Sequence, residues 1–174
     1  FKYNMKKIIY MDNAATTPLD EDVLNEMMPF LKENYGNPST IYSIGRKARK
    51  EIEKARKIVA EILGASESEI FFTSCGTESD NWAIRGVATN QKLKNGRNHI
   101  ITSKIEHHAV LNTVKELSKE GFEVTYLDVD KNGLVDPEDV KNAINEKTAI
   151  VSIMYANNEI GTIQKIREIG KICK

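Results

Sequence analysis

Several features are scarce in this sequence, and each scarcity argues against a class of protein. The 174 residues include two cysteines, too few for a disulfide framework, so we expect a reducing cytoplasm. Lys plus Arg equals Asp plus Glu at 25 each, which argues against a nucleic-acid-binding surface. No apolar run approaches the roughly 20 residues that a membrane span needs. With 40% hydrophobic and 29% charged residues, the composition is typical of an ordinary globular protein.

What is present is an alternation of strand and helix patterns, which indicates an α/β fold with a mostly parallel, doubly covered sheet. Predicted strands cover residues 8–12, 69–74, 99–103, 122–129 and 149–156. Predicted helices cover residues 20–34, 43–63, 77–94, 107–120, 137–145 and 163 onward. Asp20 is expected to cap the first helix and Gly64 to end the second. The strand at 149–156 is nearly all apolar and is therefore expected to be buried on both faces.

The turn "TSCGTESDN" at residues 73–81 follows a predicted strand and opens a helix. Gly76 would let a ligand approach the backbone closely, and first-turn amides suit a phosphate, with a possible further bond from the Thr77 hydroxyl. The alternative is a plain helix cap, in which Thr77 and Asp80 nearly form a capping box. The turn lacks the lysine of a P-loop and the three glycines of a dinucleotide fingerprint. Cys75 is interpreted as a packing residue rather than a reactive thiol.

Two further turns are predicted at the same sheet edge, where open α/β folds bind ligands. "SKIEHHAVLN" contains His107 and His108, and either imidazole could stack on a planar ring or move protons; the alternative is a solvated side chain. "YANNEIGTIQ" contains Asn157 and Asn158, whose amides could recognise a phenolic oxygen or a carboxylate; the alternative is an Asn-rich turn.

The segment "DVDKNGLVDPED" at residues 128–139 has the oxygen spacing of a calcium loop. A predicted strand rather than a helix precedes it, and its twelfth residue is Asp139 instead of glutamate. Pro137 also begins a helix inside the loop, with Asp136 as its cap. We therefore predict no metal site in this chain.

Taken together, the segments "YMDNAATTPL", "YGNPST", "FFTSCGTESDNWAI", "HIITSKIEHHAVL", "GFEVTYLDVDKNGLV" and "VSIMYANNEIGTIQ" resemble the opening half of a cysteine desulfurase. That family belongs to the class V aminotransferases and to fold type I of the enzymes that use pyridoxal 5′-phosphate (PLP). The resemblance implies a three-layer, doubly wound sheet. It also implies that residues 1–17 belong to a segment near the substrate entrance, and residues 18–174 to the first part of the large, PLP-binding domain.

The resemblance also implies roles for individual residues. Gly76 and Thr77 match the pair that binds the cofactor phosphate, although the family often has alanine at the first position. His107 matches the imidazole that stacks on the pyridine ring. Asn158 matches the amide that bonds the phenolic oxygen and lies near the substrate carboxylate, and Asn13 and Ala14 match residues that border the substrate site.

The family converts L-cysteine to L-alanine and an enzyme-bound persulfide for iron–sulfur cluster assembly. No lysine here matches its Schiff-base motif, and neither Cys75 nor Cys173 matches its sulfur acceptor. The last residues, "IREIGKICK", form an amphipathic pattern without a stop signal, so we expect the first part of a larger domain, inactive alone. Expected partners are the missing C-terminal half or a second chain, a homodimer partner and an iron–sulfur scaffold protein. The alternative is a non-enzymatic binding or assembly module derived from the same fold.

Overall fold

The structure is a computed structural model that describes residues 8–174. The chain divides into two compact units, the first ending at Phe72 and the second beginning at Thr73. The domain boundary predicted after residue 17 stays a prediction, and residues 1–7 of the segment before it lie outside the described residues. None of the helices in the described range combines the length and apolar character that crossing a bilayer requires.

The first unit contains two α-helices, α1 (Glu21–Lys32) and α2 (Ser43–Leu63). The Asp20 carboxylate accepts hydrogen bonds from the backbone N–H groups of Asp22 and Val23, as a helix cap does. Gly64 ends α2 in the left-handed region, with φ of 65°. The predicted helices and both of their caps are therefore confirmed.

Two predicted strands are wrong. Residues 8–12 form no strand, and the segment 69–74 is replaced by a 3₁₀ helix at Glu67–Glu69 followed by irregular chain. A strand is stabilised by ladder hydrogen bonds to its neighbours, and neither segment joins the sheet that the described residues form. The aromatic side chains of Phe71 and Phe72 are 63% and 52% exposed. A strand-like sequence pattern is thus insufficient to form a strand where no neighbouring strand is available to pair with it.

The second unit alternates helices and strands in the predicted manner. Its elements are α3 (Gly76–Asn95), β1 (His99–Ser103), α4 (His108–Lys119), β2 (Glu123–Leu127), α5 (Pro137–Ala143), β3 (Thr148–Ser152) and α6 (Ile166–Ile172). The strands form a sheet in the order β2-β1-β3, and β1 is parallel to both neighbours.

Helices cover both faces of this sheet. Successive side chains of β1 point to opposite faces, so the strand contributes to an apolar cluster on each side. Ile100 packs in one apolar cluster with side chains of α3 and α4. Ile101 packs in a second cluster with Val140 of α5 and Ile169 of α6. All five residues of β1 are buried. The predicted three-layer, parallel α/β fold is therefore confirmed.

Several details of the second unit differ from the prediction, including the ends of β2 and β3, which lie at Leu127 and Ser152 rather than at residues 129 and 156. β3 is half-buried along its whole length, because it lies at the edge of the three-stranded sheet rather than between two strands. α6 begins at Ile166 instead of residue 163, since Ile163 forms an antiparallel bridge with Ala156. α3 begins one residue early, with Cys75 as its N-cap.

Candidate functional site

The loops after β1 and β3 lie side by side, as the carboxyl ends of parallel strands require. The Glu106 carboxylate accepts a hydrogen bond from the Met154 backbone N–H at 2.8 Å. The Asn157 side-chain amide donates to the Ile105 carbonyl oxygen at 3.0 Å. The predicted convergence of these two loops at one sheet edge is therefore confirmed.

The turn into α3 is organised by Glu78 rather than by Thr77. The Glu78 carboxylate accepts from the backbone N–H and the hydroxyl of Ser74, at 2.6 and 2.7 Å. The alternative, a helix cap in which Thr77 and Asp80 nearly form a capping box, is wrong, because Thr77 is already the second residue of the helix. A methyl group added at Gly76 would meet no atom within 4 Å, so this position has open space in front of it.

Cys75 is exposed, so the expected packing role is wrong. Hydrogen bonds to the Cys75 thiol lower its pKa. The largest contribution comes from the backbone N–H of Glu78 and the next from the Ser74 hydroxyl. The other cysteine, Cys173, has its thiol pKa raised by burial. The two thiols therefore differ because Cys75 accepts hydrogen bonds at the start of α3, whereas Cys173 is desolvated.

His107 is the N-cap of α4, and its Nδ1 accepts a hydrogen bond from the Ala109 backbone N–H at 3.1 Å. That bond orients the ring and, in the neutral imidazole, leaves the proton on Nε2. The ring itself is exposed, and its centroid lies 6.3 Å from that of His108. The two adjacent histidines therefore have different structural roles: His107 caps α4, and His108 is the first residue of the helix.

The two asparagines after β3 also differ. Asn157 is buried, and its Oδ1 accepts from the backbone N–H groups of Glu159 and Ile160, at 2.9 and 3.0 Å. Asn158 is exposed, and its amide donates to the Glu159 carboxylate at 3.2 Å. Asn157 thus fits the alternative of a structural turn residue, while the Asn158 amide faces solvent and is accessible to a ligand.

A cleft of about 320 Å³ in the second unit brings Thr77 and His107 together. It is lined by Thr77, Asn81, Arg85, His107, His108, Ala109, Asn112, Thr113 and Glu116. Gly76 and Asn158 are not among the residues that line this cleft.

The Arg85 guanidinium, which the sequence analysis did not name, forms a 2.9 Å ion pair with Glu120. Its helical spacing from Thr77 and Asn81 was the signal that could have identified it.

Asn13 and Ala14 belong to the first unit, in an exposed turn. The Ala15 backbone N–H closes this turn by donating to the Asp12 carbonyl oxygen at 3.2 Å. Their place at the border of the substrate site stays a prediction.

The acidic segment at 128–139 uses its carboxylates within the chain. The Asp128 carboxylate pairs with the Lys104 ammonium group. Asp130 accepts from the backbone N–H groups of Asn132 and Leu134, both at 2.8 Å, and Asp136 caps α5. Among residues 8–174, no group of three or more acidic, histidine or cysteine side chains is arranged to hold a metal ion.

Comparison with known proteins identifies the family. Residues 9–174 match the aminotransferase class-V family, so the chain belongs to it. The chain is 58% identical over 168 residues to the cysteine desulfurase IscS of Methanosarcina thermophila, which covers 97% of this chain and 41% of that protein. It therefore spans about two fifths of the length of the curated relatives it matches.

Two solved structures share the fold. One, described as a NifS-like protein, superposes with a TM-score of 0.90 at 49% identity, over 94% of this chain and 44% of the other. The second, SspA in complex with cysteine, superposes with a TM-score of 0.89 at 42% identity, over 94% of this chain and 47% of the other. The resemblance to the first part of a cysteine desulfurase and the assignment to fold type I are confirmed.

Proposed function

We propose that these residues form part of a PLP-dependent cysteine desulfurase, which converts L-cysteine to L-alanine and an enzyme-bound persulfide. The observation that carries the proposal is the cleft shared by Thr77 and His107, in a chain 58% identical to a protein of that name. The neighbour solved with bound cysteine supports an amino-acid substrate. The comparisons do not favour the alternative of a non-enzymatic module.

The donors at the start of α3 fit a phosphate ester. Gly76 and Thr77 are the first two residues of the helix, where backbone N–H groups lack intrahelical acceptors and the helix dipole is positive. The open space in front of Gly76 leaves room for phosphate oxygens at the backbone. We therefore assign the cofactor phosphate to these amides and to the Thr77 hydroxyl.

The exposed groups on the neighbouring loops fit the cofactor ring. His107 presents an imidazole whose orientation is fixed by its bond to Ala109, and such a ring can stack on a pyridine. Asn158 presents an exposed amide that can donate to a phenolic oxygen and lie near the substrate carboxylate. When bound, PLP supplies the electron sink for the reaction, and these residues bind and orient it.

The remaining parts of the reaction are assigned to groups outside the matched residues. No lysine or cysteine here matches the family's covalent cofactor lysine or its sulfur acceptor. We propose that a C-terminal segment or second chain provides both, that the complete protein is a cytoplasmic homodimer, and that an iron–sulfur scaffold protein receives the sulfur.

A chimera tests this function. It consists of these 174 residues followed by the part of the Methanosarcina thermophila relative that lies beyond the matched region. With PLP and L-cysteine, we expect the chimera to produce equal amounts of alanine and, with a thiol reductant, sulfide. The 174-residue chain alone should produce neither. A folded chimera that retains no PLP and forms no alanine would contradict the proposal.

A further inference from the structure

A buried carboxylate connects the two loops of the candidate site. Glu106 is 6% exposed, and its Oε1 accepts from the Ser103 hydroxyl at the end of β1 and from the Met154 backbone N–H after β3, both at 2.8 Å. One donor is the last residue of β1 and the other follows β3, so one oxygen atom fixes the distance between the two loops. Removing it would leave two donors without this acceptor at a largely buried position.

The burial of the Glu106 carboxylate is not explained by an ion pair with a basic side chain. Within residues 8–174, no lysine, arginine or histidine forms an ion pair with Glu106. Burial raises the pKa of its carboxyl group, and the hydrogen bonds from Met154 and Ser103 act in the opposite direction. An isolated buried carboxylate is costly, so its value to the fold lies in the hydrogen bonds that it accepts.

A second connection runs in the opposite direction. Asn157, on the loop after β3, donates its side-chain amide to the Ile105 carbonyl oxygen on the loop after β1. Its Oδ1 at the same time accepts from the backbone of its own turn. Each loop therefore reaches across to the other with one buried polar side chain. We call these two crossing connections the Glu106–Asn157 latch.

The latch residues directly precede the two candidate ligand residues, since Glu106 is followed by His107 and Asn157 by Asn158. We propose that Glu106 is a positioning residue, which through this latch sets the separation of His107 and Asn158 for their common ligand, a phosphorylated pyridine. This inference rests on the proposed function. What Glu106 must provide is an acceptor oxygen at the correct reach, and a negative charge is not required.

Two variants separate reach from charge. Glu106→Gln retains an acceptor oxygen at the same distance and removes the charge, whereas Glu106→Asp retains the charge and shortens the side chain by one methylene. Both are made in the chimera. The matched controls are Glu138→Gln and Glu138→Asp. Glu138 is an exposed glutamate of α5, and among residues 8–174 its carboxylate forms an ion pair only with Lys141.

The first measurement is hydrogen exchange without cofactor, read in peptides that cover residues 104–110 and 153–161. We expect Glu106→Asp to accelerate exchange there about tenfold, with β1 and β2 unchanged, and Glu106→Gln to match the wild type. The second measurement is the dissociation constant for PLP, which should rise about tenfold in Glu106→Asp alone. The Glu138 variants should change neither quantity.

The outcomes distinguish the two proposals. Unchanged exchange at 153–161 in Glu106→Asp, or a Glu106→Gln variant as defective as Glu106→Asp, would overturn the latch. A wild-type chimera that retains no PLP would overturn the proposed function. Because exchange is measured without cofactor, it reports on the latch even in that case.

Discussion

The two units of this chain differ in where their apolar side chains lie. In the first unit, α1 and α2 have well-formed amphipathic patterns, yet their only buried residues are Gly45, Ala48 and Ala60, in α2. Large residues of α1 such as Met27 and Phe30 are 43% and 39% exposed. In the second unit, two apolar clusters enclose both faces of the sheet. An amphipathic pattern is thus sufficient to define a helix, whereas a core requires elements that face one another.

The largest effect expected from this contrast concerns two leucines in helices. Leu117 of α4 is fully buried, whereas Leu31 of α1 is 64% exposed. Leu117→Ala should lower the free energy of unfolding by about 2–5 kcal/mol, because it removes buried methyl groups and leaves a cavity. Leu31→Ala should change it by less than about 1 kcal/mol. Urea denaturation of both variants in the chimera measures the difference, and equal losses would refute the contrast between the units.

Next in size is the effect of Thr77 on cofactor retention, which tests whether the polar first turn of α3 is a binding site. Thr77→Ala should raise the dissociation constant for PLP in the chimera about tenfold, through the loss of one hydrogen bond to a charged phosphate. Cys75→Ala, two residues earlier and also exposed, should leave PLP binding and activity largely intact. The reverse pattern would show that the thiol, and not the hydroxyl, is the functional group.

A smaller effect is expected from pH. Burial lowers the pKa of His99, partly offset by Glu123, and the ring bonds Thr148 and Thr125 at 3.0 and 2.8 Å. Its folded-state pKa lies below the ordinary value of about 6.5, so the unfolded chain binds more protons in the interval between the two. The stability that His99 contributes is therefore complete above about pH 6.5 and is lost as the pH falls toward the folded-state value.

Comparison with His99→Gln isolates the contribution of His99, because every other titratable group is common to the two proteins. The free energy of unfolding, measured from pH 8 to pH 5, should decrease more steeply in the wild type than in the variant. All three histidines lie in the second unit, so the first unit should not share this dependence. Parallel curves for the two proteins would contradict the assignment.

The smallest effect concerns the cap of α1 in the first unit. Asp20→Ala removes the acceptor for two backbone N–H groups and should destabilise this helix by about 1 kcal/mol. Asp20→Asn retains the acceptor and should behave nearly as the wild type. Hydrogen exchange at residues 21–25 measures the change locally. An equal acceleration in both variants would attribute the effect to charge at the helix end rather than to the hydrogen bond.

Local patterns predicted the helices well and the strands less well. The bounds of α2 and β1 agree with the prediction, since α2 depends on contacts within about four residues and β1 ends at clear turn residues. The strands expected at 8–12 and 69–74 are absent, because a strand depends on a neighbour that the local sequence does not specify. The burial of β3 was misjudged for the same reason: its position at the sheet edge is a property of the strand order.

In the candidate site too, residues in local motifs were predictable, whereas contacts between distant segments were not. Thr77, His107 and Asn158 were named from motifs at predicted strand ends and from the family resemblance, and their proposed roles stay predictions. The contacts of Glu106 and Asn157 were not predicted, because Glu106 and Met154 are 48 residues apart in the chain. No local pattern specifies which strand ends will be neighbours, and therefore none specifies which donors a buried side chain will meet.

By itself the sequence determined the alternation of helices and strands, the caps at Asp20 and Gly64, and the family to which the chain belongs. These follow from short-range periodicity and from motifs whose order along the chain can be read directly from the sequence. Only the tertiary structure decided that Glu106 and Asn157 join the loops after β1 and β3. The physical reason is that parallel strands meet through crossover helices, so the partners at their ends come from distant parts of the chain.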